Sequence, residues 1–436
     1  MCGVKPYPGF ESLTLRQNPY RGPPFQAVRA YDGAMKNRHL LIIFAVVLVN
    51  MLAFGIVIPL LPYLADKTGA SEFQIGLLTA SYPLAQLVGA PLLGRLSDRY
   101  GRKPILLFSI LGTAVGFVIL ALANSLPLLF LGRIIDGLTG GNINVAQAYI
   151  ADVTDRNERG KAMGLIGAAF GLGFVIGPVT GGLLSDISYS TPAWVGAAIS
   201  VFNLAAVTLF LPESLSAEAR ARLVDLKRKV FDLAGLRRAI AHRRVGPILT
   251  IRAVTGVSFA LFETMFSLWA LAALGFKASQ TGLFLGYIGV LSVIVQGGLI
   301  GRLTKRFSDD TLLLAGVGLA GASLLAWAFV PNVVLLVLVI IPLSLGLAVS
   351  STVMTSALSK AVGADEVGGV LGAQTSVMSL TRVVAPIIGG FLLERATLWS
   401  PGLLAGVLAL AMVPYAWRTL CLVPGRDSCE ETFGAE

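Results

Sequence analysis

The sequence predicts an all-α protein of twelve transmembrane helices, arranged as two related six-helix bundles. The first observation is composition: of 436 residues, 55% are hydrophobic and 13% are charged, whereas a soluble chain carries about 25% charged residues. The second is a series of long apolar stretches, and the third is an internal repeat that covers both halves of the chain. Together they indicate a polytopic membrane protein built by duplication.

The apolar stretches are each about 20 residues long or more, which lets a helix cross a hydrocarbon core of ~30 Å. Polar breaks separate twelve of them, named here spans 1 to 12. They lie at 39–64, 74–97, 104–123, 127–151, 161–185, 192–212, 247–272, 281–303, 311–330, 333–359, 367–393 and 398–419.

Basic residues concentrate in the loops on one side of the predicted bundle. Besides the segment between the halves, the loops on the side of the N-terminus hold Arg95, Arg99, Arg102, Lys103, Arg156, Arg159, Lys161, Arg302, Lys305 and Arg306. The opposite loops hold Lys67, Lys277 and Arg395. The positive-inside rule therefore predicts that both chain ends are cytoplasmic. It also explains the net charge of +10 without a nucleic-acid partner.

The residue inventory excludes several other classes of protein. Cys2, Cys421 and Cys429 lie near the chain ends and have neither metal-site spacing nor a disulfide pattern. We find no nucleophile with a base, no phosphate-binding loop and no nucleotide-binding domain, so we expect neither an enzyme nor a primary pump. We expect no metal, no cofactor and no cleavable signal peptide, and the stretch "MKNRHLLIIF" suggests Met35 as the initiator.

Two pairs of segments show the repeat. Residues 158–186 align without a gap on 366–394, and "GRLSDRYGRKPILL" (94–107) aligns on "GRLTKRFSDDTLLL" (301–314). A parallel duplication of six spans is a known transporter plan, with the binding site near the midplane between the halves. The predicted domains are an N-terminal tail (1–37), a first bundle (38–212), a basic linker (213–246), a second bundle (247–420) and a C-terminal tail (421–436). The linker is either an amphipathic helix on the cytoplasmic membrane surface or a solvated connection.

Three motifs carry a resemblance to a known family. "GRLSDRYGRK", between spans 2 and 3, resembles the loop signature of the major facilitator superfamily. "GLGFVIGPVTGG" in span 5 resembles the motif associated with its antiporters, and "LGRIIDGLTGGNINVAQAYIADVTDRNERGKAMG" resembles the tetracycline-resistance-type drug/proton antiporters. The resemblance covers about 38 to 420 and implies the twelve-span major facilitator fold, proton-coupled export and no cofactor.

The loop between spans 2 and 3 contains charged residues. The resemblance implies that they form a cytoplasmic gate. Gly94 and Gly101 allow a tight turn, and Asp98 and Arg102 can pair four residues apart. The resemblance adds Asp152, at the end of span 4, and implies that these charges latch the state closed to the cytoplasm.

The second half repeats this gate with every sign inverted. Asp98, Arg102 and Asp152 correspond to Lys305, Asp309 and Lys360 at offsets of 207 and 208. The second copy has either kept a latch by compensated change or drifted. In the first half, Arg99 and Lys103 belong to the same signature, although their charges are also explained by a loop that stays cytoplasmic.

Small residues in span 5 predict a close helix–helix contact. Gly173, Gly177 and Gly181 recur every four residues and give the span a flat face. Pro178 removes a backbone hydrogen bond and permits a bend. With Gly182, these residues form the antiporter-like motif, which the resemblance links to sealing against leak.

Four charges inside the spans have no charged counterpart in the other half. Arg133, Asp136, Arg382 and Glu263 correspond to Ile341, Ser344, Phe174 and roughly Gly55. At 1.5 Å per residue, Glu263 lies about 24 Å from the inner end of span 7, near the midplane. Charges at this depth are functional candidates, and Glu263 is the first candidate proton carrier. Asp136 ranks second because Arg133 can neutralise it, and both carboxylates could instead be structural.

Polar and aromatic residues at similar depth are the candidate cavity lining. With Arg133 and Arg382 they are Asn50, Tyr82, Gln86, Asn142, Gln147, Phe262, Trp269, Tyr287 and Gln296. Each of these residue types alone is more often a helix-packing residue than a ligand. Asn50 stands where the resembled family usually has an Asp, nine residues before Pro59. Because Asn cannot carry a proton in this way, coupling through span 1 must be rerouted or absent, and a tetracycline substrate is in doubt.

The sequence therefore predicts a proton-driven exporter of amphipathic small molecules that works by alternating access. We expect a functional monomer in the bacterial inner membrane, with protons and a small molecule as its partners besides the lipid bilayer. An importer or facilitator of a small, anionic metabolite, anchored by Arg133 or Arg382, is the first alternative. A non-transporting scaffold or receptor is the second, and the charges inside the spans argue against it.

Overall fold

The computed structural model describes residues 33–154, 158–216, 218–221, 233–363 and 366–419, and this part of the chain folds into helices without strands. The first half contains spans 1, 2 and 3 at Gly33–Val57, Glu72–Tyr100 and Arg102–Leu122. Span 4 has two pieces, Leu126–Thr139 and Asn142–Val153, and spans 5 and 6 are Arg159–Ser185 and Thr191–Phe210. A short helix, Leu61–Asp66, follows span 1.

The second half repeats this order after a short helix at Leu233–Ala241. Span 7 is Val245–Leu274, and span 8 runs from Ala278 to Arg306 with a π-helical segment at Val295–Leu299. Spans 9 to 12 are Asp309–Ala328, Val333–Lys360, Val367–Arg395 and Ser400–Thr419. The predicted all-helical fold is confirmed.

Local chemistry explains where several of these helices begin. Within a bilayer, backbone polar groups must be satisfied inside the segment itself, which favours a helix for each apolar stretch. At span ends, side chains cap the free backbone N–H groups. Ser71 accepts from Gln74 N at 3.3 Å, Ser308 from Thr311 N at 3.3 Å, and Asn332 from Leu335 N at 3.0 Å.

Span 4 differs from its prediction as a continuous helix over 127–151. Eleven helices in the described ranges are long and apolar enough to cross a membrane, and span 4 is absent from that set because it is broken. The break lies at Gly140 and Gly141, where Gly141 N donates to Thr139 O at 2.8 Å. Gln86 of span 2 donates to the freed carbonyl of Gly140 at 2.8 Å. The two half-helices together complete the predicted twelve spans.

The span 5 glycines pack against span 1. A Cβ atom on Gly177 would lie 2.8 Å from Gly55 Cα, and one on Gly173 would lie 2.9 Å from the backbone carbon of Met51. The second half has the matching contact between spans 7 and 11, where a Cβ on Gly256 would lie 3.2 Å from Met378 Sδ. Each half therefore has a close contact between two parallel spans, made by glycines on both spans in the first half and by Gly256 against a methionine in the second.

The two halves meet tightly at the end of the bundle opposite the chain ends. A Cβ on Gly182 of span 5 would lie 3.0 Å from Gly282 Cα of span 8, and one on Gly76 of span 2 would clash with Pro386 of span 11. The Tyr63 hydroxyl donates to Phe276 O at 3.0 Å. We call this end of the bundle the closed side.

At the other end, where residues 33 and 419 lie, the halves stand apart. Gly94, Gly164, Gly297 and Gly372 belong to spans 2, 5, 8 and 11, the same four helices that meet at the closed side. A Cβ on any of these four glycines would have no atom within 4 Å. A cavity between the halves therefore opens toward this end, which we call the open side.

The basic linker is described in part. The helix Leu233–Ala241 carries exposed Arg237 and Arg238 near span 7. The predicted basic residues Arg222 and 227–229 lie outside the described residues.

Candidate functional site

The charged pair of span 4 is buried inside the first half. Arg133 Nη1 lies 3.3 Å from Asp136 Oδ2, and the two residues are 6% and 5% exposed. The Arg133 guanidinium stands over the Tyr82 ring at 4.3 Å, a cation–π contact between spans 4 and 2. Asp136 is thus compensated by a close cation in a site with little access to solvent.

Tyr82 and Gln86 connect this pair to the break in span 4. Gln86 Nε2 donates to the Tyr82 hydroxyl at 3.1 Å and also to Gly140 O. Tyr82 meets Phe54 of span 1, with the ring centroids 5.4 Å apart. Three predicted cavity residues, Tyr82, Gln86 and Arg133, therefore lie together between spans 2 and 4 of the first half.

The charged residues of the second half form a looser pair. Arg382 Nη2 lies 3.8 Å from Glu263 Oε1, and their side chains are 44% and 14% exposed. This distance exceeds that of a hydrogen bond. Arg382 also lies within electrostatic range of Tyr82 in the first half. We call these two groups together, Arg133 with Asp136 and Tyr82 in the first half and Arg382 with Glu263 in the second, the central belt.

Arg252 is a further charge near the belt that the sequence analysis did not single out. It lies on span 7, within electrostatic range of Arg382. Its Nε atom is buried and has no hydrogen-bond partner in the part of the chain that the structure describes. A signal was present, because position 252 corresponds to Phe44 at the offset of 208 and so also breaks the repeat.

The other candidate cavity residues are dispersed. Asn50 and Asn142 line one small cavity between spans 1 and 4, together with Asn203 of span 6. Gln147 and Gln296 are exposed, and Gln296 lies in the π-helical segment of span 8. Such segments often mark functional sites. Tyr287 is partly buried on span 8.

Two predicted lining residues do not face the cavity in this conformation. Phe262 and Trp269 are 1% and 3% exposed and pack with Trp327, at centroid distances of 4.9 and 5.3 Å. The physical reason is that both belong to the face of span 7 turned into its own bundle, where they fill the aromatic core.

The predicted gate residues of the first half form a compact ion cluster. Arg102 Nη1 lies 2.6 Å from Asp98, and Arg102 Nε lies 2.9 Å from Asp152. Arg102 is 5% exposed and also donates to Ser97 Oγ at 2.7 Å. Gly101 supplies the turn, with a φ of +109° that disfavours residues with a side chain.

The neighbouring signature residues have separate contacts. Lys103 Nζ donates to Thr208 O at 2.8 Å, and the Arg99 guanidinium lies 5.3 Å from the Tyr100 ring. The cluster lies within the first half, at the open side.

In the inverted copy in the second half, two of the three charged residues form an ion pair. Lys360 Nζ lies 2.5 Å from Asp309 Oδ2, at the position that corresponds to the Arg102–Asp152 contact. The Lys360 side chain is 62% exposed. Lys305 is exposed, and the described ranges show no ion pair for it. The inverted network is therefore smaller and more accessible to water than the first.

Glu213 ties the linker to the first-half cluster and was missed by the sequence analysis. Its carboxylate accepts from Arg102 N at 2.9 Å and Lys103 N at 3.2 Å, which caps span 3. The next residue, Ser214, donates to Asp152 at 3.0 Å. The beginning of the linker is therefore hydrogen-bonded to the ion cluster.

Replacing Arg102 with alanine is expected to destabilise the protein more than replacing Lys360 with alanine. The first change leaves two carboxylates without their shared partner, and charged hydrogen bonds contribute about 1.5–3 kcal/mol each. The second removes an exposed pair that contributes ~0.2–1 kcal/mol. Thermal unfolding of the purified variants in one detergent measures both, and an equal loss of stability would contradict the difference in burial.

Among the described residues, no group of three or more His, Cys, Asp or Glu side chains could hold a metal ion. The polar groups between the halves are instead suited to binding a small molecule through ion pairs and ring contacts. Two repeated six-helix bundles with such groups between them define the class as a membrane transporter.

Comparisons with known proteins identify the family. The model of the Major Facilitator Superfamily matches residues 43–380 and 297–428. The tetracycline resistance protein, class C, of Escherichia coli is 32% identical over 356 residues, 81% of this chain and 89% of that protein. Solute carrier family 22 member 18 of Mus musculus is 32% identical over 342 residues, 76% of this chain and 84% of that protein.

A solved structure, the human organic anion transporter MFSD10, covers 87% of this chain and 99% of its own, with a TM-score of 0.65 and 22% identity. The chain therefore belongs to the Major Facilitator Superfamily. It is a multi-pass integral membrane transporter of small molecules and not an enzyme.

Proposed function

We propose that the protein exports amphipathic small molecules in exchange for protons, by alternating access of the central belt. The observation that carries this proposal is the Glu263–Arg382 pair of the second half, at 3.8 Å and with both side chains partly exposed. A carboxyl group there can gain and lose a proton from the cavity. Relatives named as tetracycline resistance proteins support export of drug-like compounds.

The geometry favours Glu263 over Asp136 as the proton carrier. Asp136 is 5% exposed and is held by Arg133, which itself rests on Tyr82. A charge in such an arrangement is costly to change. Among the described residues, Glu263 makes no hydrogen bond, and its ion-pair partner Arg382 lies 3.8 Å away. We therefore assign Asp136 and Arg133 to shaping the first-half wall, and proton exchange to Glu263.

The charge distribution supports an orientation with the open side in the cytoplasm. Exposed basic residues at the open side include Arg99, Arg237, Arg302 and Lys360, against Lys67, Lys277 and Arg395 at the closed side. By the positive-inside rule, both chain ends are then cytoplasmic. The structure would correspond to the inward-facing state, in a bacterial inner membrane, acting as a monomer.

The role we propose for the ion cluster follows from this orientation. In the inward-facing state Asp98 and Asp152 both pair with Arg102, at the side where the halves stand apart. Closing this side would bring the cluster against spans 11 and 8 of the second half, where the partly exposed carboxylate of Asp98 can make a further contact. The Asp309–Lys360 pair would act in the same way from the other half.

An imposed pH gradient tests the proposal. Purified protein would be reconstituted into vesicles with an acidic interior, and accumulation of ethidium, rhodamine 6G and tetracycline would be followed by fluorescence. We expect accumulation of at least one compound that collapses when a protonophore is added. Uptake that depends on the compound's own gradient, with no response to the protonophore, would identify a facilitator instead.

A further inference from the structure

Arg252 has no part in the transport cycle described above, yet it occupies a costly position. A charge inside a membrane span is expensive unless it is paired or lines a cavity. Its Nε atom is buried without a hydrogen-bond partner in the described ranges. Arg382, which lies within electrostatic range of Arg252, is another cation and cannot neutralise it.

Helix geometry places Arg252, Arg382 and Glu263 in one column along the second-half wall. Arg252 and Glu263 lie eleven positions apart on span 7, which is about three helical turns and ~16 Å on the same face. Gly256 faces Met378 and Thr381 of span 11, which sets the register of the two spans. Arg382 then stands between Arg252 below it and Glu263 above it.

The column carries one positive charge in excess. Glu263 can compensate a single arginine, and its contact with Arg382 is 3.8 Å long. Asp136 is already paired with Arg133 in the other half. Arg382 is 44% exposed, and Arg252 is partly buried with an Nε donor that no hydrogen bond among the described residues satisfies; two such guanidinium groups on one wall form a site that an oxyanion can neutralise.

We propose that Arg252 and Arg382 form a subsite for the carboxylate group of an amphipathic substrate. The proposal rests on the proposed function, because it places the substrate in the same cavity. The rest of the molecule would extend toward Tyr82 and Phe54, whose rings lie 5.4 Å apart. An organic acid fits better than a lipid headgroup, because Arg382 is 44% exposed and lies within electrostatic range of Tyr82 in the other half.

Matched acids and amides test the subsite on the purified, full-length protein. Benzoate, salicylate and 2-naphthoate would be titrated calorimetrically at pH 7.5, beside benzamide, salicylamide and 2-naphthamide. We expect at least one acid to bind about tenfold more tightly than its amide, a difference of about 1.4 kcal/mol. Arg252→Gln should reduce this preference to within about twofold, or ~0.4 kcal/mol. Arg302→Gln, at an exposed arginine of span 8, should leave it unchanged.

A stability measurement shows that the result does not come from loss of fold. Arg252→Gln removes a charge without a partner, so its melting temperature without ligand should equal or exceed that of the wild type. The acids should raise the melting temperature of the wild type and not that of the variant, because a ligand stabilises the state that binds it.

Equal binding of every acid and its amide to the wild type would overturn the subsite, as would a preference that survives Arg252→Gln. Displacement of the acids by inorganic phosphate at equal concentration would assign the arginines to a small free anion and also overturn it. In each case, gradient-driven dye transport that remains intact would leave the proposed function standing. Lost gradient-driven transport with the acid preference retained would instead contradict only the proposed function.

Discussion

Replacing Glu263 with glutamine is expected to reduce gradient-driven accumulation of substrate to the level of protein-free vesicles. Glutamine keeps the size and the polarity of the side chain but cannot exchange a proton. The glutamine would still occupy the position beside Arg382, so the substrate site should keep its shape. Exchange of substrate between equal concentrations should therefore continue. The measurement compares accumulation under a pH gradient with exchange of labelled substrate at uniform pH, for wild type and variant in the same lipid.

The matched control is Glu72→Gln, which removes a carboxylate from the exposed first turn of span 2. This variant should accumulate substrate as the wild type does. Asp136→Asn, in contrast, should lower the yield of folded protein, because it leaves Arg133 buried without its charged partner. Full gradient-driven accumulation by Glu263→Gln would show that Glu263 does not carry the coupled proton.

Replacing Gly182 with leucine is expected to shift the protein away from the observed conformation and to stop transport. A Cβ there would lie 2.8 Å from Ala278 O and 3.0 Å from Gly282 Cα, both on the opposing half. Overpacking of this kind costs roughly 1–3 kcal/mol. Each 1.4 kcal/mol changes an equilibrium about tenfold, so the closed side should separate in most molecules. Because the contact lies between the halves, each bundle should still fold.

Two variants of the same helix separate this effect from a general loss of fold. Gly164→Leu places the side chain where no atom lies within 4 Å and should keep the folded yield of the wild type. Gly177→Leu would force Gly55 away inside the first half and should reduce folded yield instead.

Spin labels at Ser188 and Thr397, exposed on the closed side of the two halves, would report their separation. The labels would be introduced after replacement of Cys2, Cys421 and Cys429. An unchanged label distance with normal transport in Gly182→Leu would contradict the role given to this contact.

Composition and the repeat predicted the fold to a large extent, because a bilayer leaves few solutions for long apolar segments. The break in span 4 was not predicted. A Gly pair costs about 1 kcal/mol per residue in a helix and does not by itself end one. The break is stabilised by Gln86 of span 2, which bonds to the carbonyl of Gly140, and a contact between two spans is not visible in local sequence.

The site was predictable where a charge broke the repeat, and less so elsewhere. Breaking of the repeat drew attention to Arg133, Asp136, Glu263 and Arg382, which the structure joins into two ion pairs, with Tyr82 beside the first. Phe262 and Trp269 share span 7 with Glu263, but their side chains point into the second bundle, where they pack against Trp327. The capping of span 3 by Glu213 depends on how the chain returns after span 6, which no motif encodes.

Proton movement measured directly in vesicles tests the central claim of this account most closely. The reconstituted wild type and Glu263→Gln would be placed in weakly buffered solution with a pH-sensitive dye, and the transport substrate identified under a pH gradient would be added. Exchange predicts proton release from the wild type when substrate is added, and none from Glu263→Gln. Substrate transport by the wild type without any proton release would contradict it.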